Sequence, residues 1–153
     1  MRALEPWVVE PLQTFLAESS ARLILLMTTA GQVVAQHGFA RSFEVMTAAA
    51  LGSAIVASTE ELARLMGAPR FGAVVHGGSQ QSFLLAAFGT PRGRWIGLVV
   101  FGPETSVGLV QLFFDQMVEE LVSAAPREPA PAPKLAENFE RELNASLKEL
   151  FGR

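Results

Sequence analysis

Cysteine and tyrosine are absent, aspartate occurs once at Asp115, and the only lysines are Lys134 and Lys148. Without cysteine there is no disulfide, thiolate zinc site or cysteine nucleophile. With no lysine before residue 134, a Walker-type phosphate loop is excluded, because its glycines must be followed by one. Long apolar runs are also missing: the stretch from Leu23 to Met27 is far too short to cross a bilayer. The opening segment has Arg2, but Glu5, Pro6 and Pro11 then interrupt the unbroken apolar stretch that a signal peptide needs. A cytoplasmic location is therefore expected, with no direct membrane insertion.

What is present is a chain of 153 residues, half of them apolar, enough to bury the core of one domain without staples. The formal net charge is −3, and the twelve basic residues are spread along the chain. A nucleic-acid partner is not expected, since phosphate binding needs clustered cations.

Val8, Leu12, Phe15 and Leu16 fall at helical spacing in a segment from about Leu4 to Ser19, with Glu5 and Glu10 early and Pro11 as a start or a kink. The following run, 22–28, is apolar on both faces and too short for a typical helix, so it reads as a central strand. A glycine turn at Gly31 leads to a returning strand over 33–37, which makes a hairpin.

A long helix is expected from an N-cap at Ser42 to about Met66, closed by Gly67 and Pro69. Projected at 100° per residue, it carries two stripes. Leu51, Ile55, Leu62, Leu65 and Met66 form a bulky stripe, expected to lie on the sheet as core. Roughly opposite run Met46, Ala50, Ser53, Ala57, Glu60 and Arg64, with small residues in the middle that would let a partner chain approach closely. The alternative for this second stripe is plain solvent exposure, since alanine is the best helix former.

Three more strands are expected at about 71–76, 81–89 and 94–101, joined by hairpin-like turns. They lead to a last helix with Val107, Val110, Phe114, Met117, Val118 and Leu121 on one face. The plan is α/β, α-ββ-α-βββ-α, a five-stranded antiparallel sheet with helices on its faces. The expected domain is 1–125. A Pro/Ala-rich linker over 126–134 follows, and then an amphipathic helix over 135–153 with Leu135, Phe139, Leu143, Leu147, Leu150 and Phe151 on one side. Its apolar side is expected to bind either a partner's groove or its own domain.

Catalytic signals are weak. His37 and His76 have no carboxylate nearby in sequence, and structural, hydrogen-bonded roles are expected for them. No Gly-x-Ser-x-Gly occurs. The segments 89–93 and 102–106 resemble phosphate loops only loosely, and their prolines remove an amide such a loop would use. Arg92 and Arg94 could be offered to a partner's phosphates, although a solvated turn explains them more simply. Neither metal nor cofactor is expected, nor is the chain expected to be an enzyme.

Three stretches carry a family resemblance. Phe71-Gly-Ala-Val-Val-His76-Gly-Gly78 is similar to a Phe-x-x-x-x-His-x-Gly that closes the third strand, and Leu62-Ala-Arg-Leu-Met-Gly67 to a Leu-Ala-Lys-Leu-Ile-Gly. Thr105-Ser-Val-Gly-Leu-Val-Gln-Leu112 is similar to the Thr-Ser-Leu-Gly-Leu-Val-Arg-Leu that enters the last helix. With the element order, these identify residues 5–125 as similar to the roadblock/dynein-light-chain family, in particular its bacterial polarity and gliding-motility regulators. Ser53-Ala54-Ile55 departs from the Ala-Gly-Asn typical at that point of the long helix.

The resemblance implies a longin/profilin-like sheet and a homodimer in which the long helices meet, as do the third strands, here at Phe71, Val74 and His76. It implies a Ras-like small GTPase as partner, whose own catalytic residues the dimer repositions to speed GTP hydrolysis. Phe139, Leu143, Leu147, Leu150 and Phe151 of the tail would be a second contact on it, and recruitment to a cell pole is implied as well. The competing expectation is an adaptor of the same build that holds polarity or motility proteins without changing GTP turnover. A small-molecule sensor on the related sheet would need a pocket that no residue pattern marks.

Overall fold

The computed structural model describes residues 6–40, 43–69, 72–126, 141 and 143–150. In chain order the elements are α1 (Pro6–Ser19), β1 (Leu23–Thr28), β2 (Val33–Gly38), α2 (Val45–Leu65), β3 (Val74–His76), β4 (Ser82–Thr90), β5 (Gly93–Phe101) and α3 (Val107–Ala124). Residues 143–150 form a further helical segment. This is the α-ββ-α-βββ-α plan. The strands make one antiparallel sheet in the order β2-β1-β5-β4-β3.

β1 is an interior strand, between β2 and the middle strand β5, because its residues are apolar on both faces, and Leu23 to Met27 are all fully buried. Ile24 and Leu26 join Val99, Leu84 and Phe88 beneath α1 and α3. Leu23, Leu25 and Met27 join Leu85, Ile96 and Leu98 beneath α2. Each such leucine contributes about 2–3 kcal/mol relative to exposure, so the two clusters clamp the sheet from both sides.

α3 is held over the sheet by Val110, Phe114, Met117 and Leu121, as its spacing predicts. Val107, expected on that face, is exposed in the first turn of α3. The Phe114 ring meets Phe15 and Phe88 edge-on, with centroids 6.3 and 5.9 Å away. Gly97 makes room for it, since a Cβ there would lie 2.5 Å from Phe114 Cε2. Ser106 caps the helix, its Oγ accepting from the Leu109 N–H at 3.3 Å.

Several local expectations change. α2 begins at Val45 with Glu44 as N-cap and no side-chain cap bond, while the expected cap, Ser42, lies outside the described residues. Its C-terminus follows the glycine rule: Gly67 has φ +64°, its N–H bonds Arg64 O at 3.1 Å, and the Ala68 N–H bonds Ala63 O at 2.9 Å. Pro11 lies inside α1. β3 is three residues long and Phe71 falls outside the described residues, as do Phe139, Phe151 and nearly all of the linker.

The largest correction concerns α2. Its buried residues are Ala49, Gly52, Val56 and Ala63, whereas Leu51, Leu62, Leu65 and Met66 of the bulky stripe are 60%, 54%, 77% and 68% exposed. Ile55 is half-buried. The helix lies so close to the sheet that only small residues fit beneath it: a Cβ on Gly52 would meet Met27 Cε at 3.2 Å and Leu85 Cδ1 at 3.4 Å. The core line runs between the two stripes, which flank it.

Candidate partner-binding surface

The two flanks of α2 meet different surroundings. On the small-residue flank, the β1–β2 turn comes in against Ala50 and Ser53. A Cβ on Gly31, which has φ +83°, would be 3.0 Å from Ser53 Oγ and 3.4 Å from Ala50 Cα. The glycine at 31 is therefore what lets the hairpin lie so close to this flank. Farther along, Glu60 is ion-paired with Arg94 at the start of β5, and Arg64 with Glu61 at 2.5 Å. Met46, Ala50, Ala57 and Arg64 remain exposed, and Ser53 and Glu60 are half-buried.

Along the bulky flank runs an open apolar groove of about 300 Å³ between α2 and the sheet. Leu51 and Ile55 form one wall, Phe43 lies at its margin, and Phe83, Leu85, Leu98 and Val100 come from the sheet. Farther along the same flank of the helix, beyond the groove, lie the exposed Leu62, Leu65 and Met66. So wide an apolar surface, rimmed by Gln81 and Ser82, has the character of an interaction site.

The groove adjoins an edge of the sheet. Among the described residues β3 pairs with β4 alone, His76 lying opposite Phe83. His76 is exposed and stacks on the Phe83 ring at 4.9 Å and 15°, in place of the hydrogen-bonded role expected for it. Val75 is also exposed and Val74 is half-buried. The structure thus places Val74 and His76 at a free edge beside the groove. Leu143, Leu147 and Leu150 lie in a helical segment and are exposed.

The arginines considered for phosphate contact are engaged within the chain. Arg94 holds Glu60, and the Arg92 guanidinium lies 5.8 Å over the Trp7 ring, which stacks on Trp95. The 102–106 loop places the Glu104 carboxylate against Arg22 and uses Ser106 as a helix cap. Among the described residues no group of three or more His, Cys, Asp or Glu could hold a metal ion, and no helix is long and apolar enough to cross a membrane. The α2 groove is not legible in the sequence because its helix wall (43–55) and its sheet wall (81–100) come from distant parts of the chain; the bulky stripe is its only local signal.

No protein-family model and no curated protein matches the chain. Solved structures do. MglB from Thermus thermophilus, described as a gliding protein, is 28% identical over 82% of this chain and 93% of its own, with a TM-score of 0.69. Myxococcus xanthus MglB is 24% identical over 77% of this chain and 94% of its own, at 0.70. A roadblock/LC7 domain from Streptomyces avermitilis is 15% identical, covers 78% and 95%, and superposes at 0.62, a likeness of fold. In element order, sheet topology and these likenesses, the chain has the roadblock fold and is similar to the MglB proteins.

Proposed function

We propose that the protein is a homodimeric regulator of a Ras-like small GTPase of the MglA type, acting in cell polarity or gliding motility and using no catalytic residues of its own. The observation that carries the reading is the apolar groove and exposed Leu51–Met66 flank of α2 beside the free β3 edge, in a chain similar to MglB. Burying such a surface against a second copy removes apolar area from water at about 25 cal/mol per Å².

In this arrangement the β3 edges join and the bulky flank of each α2 enters the other protomer's groove. That assigns the dimer seam to Leu51, Leu62, Leu65 and Met66, leaving the exposed Met46, Ala50, Ala57 and Arg64 on the opposite flank for the GTPase. Leu143, Leu147 and Leu150, spaced i, i+4, i+7, are suited to a groove on that partner. A platform of this kind speeds hydrolysis only by binding the competent state of the GTPase more tightly than its resting state.

GTP turnover by an MglA-type GTPase, measured with the full chain and with a chain ending at Ala125, tests the reading. Acceleration that falls on removal of the tail is expected. Binding without acceleration would leave the adaptor reading, which the altered Ser53-Ala54-Ile55 centre of α2 favours.

A further inference from the structure

Arg22 stands at the entrance to β1, and its backbone is fixed on both sides. Its N–H donates to Val100 O at 2.8 Å and its carbonyl accepts from the Phe39 N–H at 2.9 Å. From this base its guanidinium reaches two loops. Nε donates to Glu104 Oε1 at 2.9 Å and Nη2 to Oε2 at 3.2 Å, a two-pronged pair with the β5–α3 loop. The third nitrogen, Nη1, donates to Gln80 O at 3.1 Å in the β3–β4 loop. Gly102 is what lets the group through, since a Cβ there would lie 2.0 Å from Nη2.

The loop so gripped is short and tightly turned. A Cβ on Gly78 would lie 2.3 Å from Gln81 O, and the Gly78 N–H donates to Ser82 Oγ at 3.2 Å. On one side it continues into β3, whose three residues pair, among the described residues, with β4. On the other it continues through Gln81 and Ser82 to Phe83, the groove residue on which His76 stacks. So short an edge strand has few ladder bonds to hold it, and the loop's anchorage decides where the edge lies.

We infer that Arg22 is a positioning residue for the partner surface: braced by Glu104, its guanidinium holds the β3–β4 loop at Gln80 and thereby sets the β3 edge and the Phe83 side of the groove. The inference rests on the reading of that surface as the dimer seam. Arginine is required because only its planar fork satisfies the two carboxylate oxygens and a carbonyl at once, whereas a lysine ammonium is a point charge on a flexible stem.

The test uses the full chain with Arg22→Lys, Arg22→Gln and Glu104→Gln. The dimer dissociation constant is measured by analytical ultracentrifugation, and amide exchange is followed in a Leu65→Glu background that keeps every variant monomeric. Both Arg22 variants are expected to weaken association about tenfold, the size of one charge-assisted hydrogen bond. Exchange should quicken over residues 74–84 while α1, β1 and α3 stay as protected as before. Glu104→Gln, which keeps the Arg22 side chain, should give the same local pattern to a smaller degree and stands in if the Arg22 variants do not fold.

An unchanged dissociation constant, or protection lost evenly over the whole domain, would overturn the assignment; the second result would make Arg22 a general structural residue. A wild-type chain that does not self-associate would overturn the dimer seam itself. In that case the exchange over 74–84 separately reports whether the clamp holds the loop.

Discussion

Arg22 and Glu104, 82 positions apart in the chain, meet through two parallel hydrogen bonds at 2.9 and 3.2 Å and tie the first strand to the loop that opens the last helix. The hydrogen bond from Arg22 is the main cause holding the Glu104 carboxyl below its ordinary value of 4.5. Because the folded-state pKa is depressed, the pair's stabilisation is fully present above that ordinary value. It is lost as pH falls through the lower folded value.

Wild type should therefore unfold at a higher temperature than Glu104→Gln near neutral pH, with the gap closing under acid conditions below pH 4.5. Calorimetry at several pH values checks this. A gap that widened in acid would show that the carboxylate is not the stabilising form.

Gly97→Ala should cost about 1–3 kcal/mol, because the new methyl group falls on the Phe114 ring and forces it off its place between Phe15 and Phe88. Urea unfolding measures the loss. Adding Phe114→Leu should recover part of it, since the smaller side chain vacates the contested space.

Leu65→Glu should leave the stability of the isolated domain within about 0.5 kcal/mol, since Leu65 is largely exposed, while abolishing self-association. Light scattering on a size-exclusion column reads the mass. Retained self-association would place the seam elsewhere than on the bulky flank of α2.

Ser106→Ala should destabilise the domain by about 1 kcal/mol by removing the acceptor for the Leu109 N–H. Ser106→Asp should retain most of the stability, because a carboxylate can replace the cap. Thermal unfolding of the two variants gives the comparison.

Much of this architecture is legible along the chain because it is written in short-range patterns. β1 is apolar on both faces and becomes an interior strand, Val110, Phe114, Met117 and Leu121 recur at helical spacing and face the sheet, and Gly67 ends α2 at a positive φ. A local pattern needs no knowledge of what lies opposite.

The α2 surface is different. Its periodicity displays a bulky stripe and a small one, but which is covered depends on the distance between helix and sheet. The close approach at Gly52 puts small residues underneath and leaves leucines beside an open groove. Size and hydrophobicity alone point the other way, since a bulky stripe is ordinarily core.

The element order, the doubly buried interior strand β1 and the C-terminal end of α2 were thus determined by the sequence itself, through hydrophobic period and backbone preference acting over a few residues. Only the tertiary structure decided that Gly31 occupies the small flank of α2, that Glu60 pairs with Arg94, and that Arg22 joins loops at Gln80 and Glu104. These contacts bring together residues tens of positions apart, and their geometry exists only once the sheet has set the spacing between them.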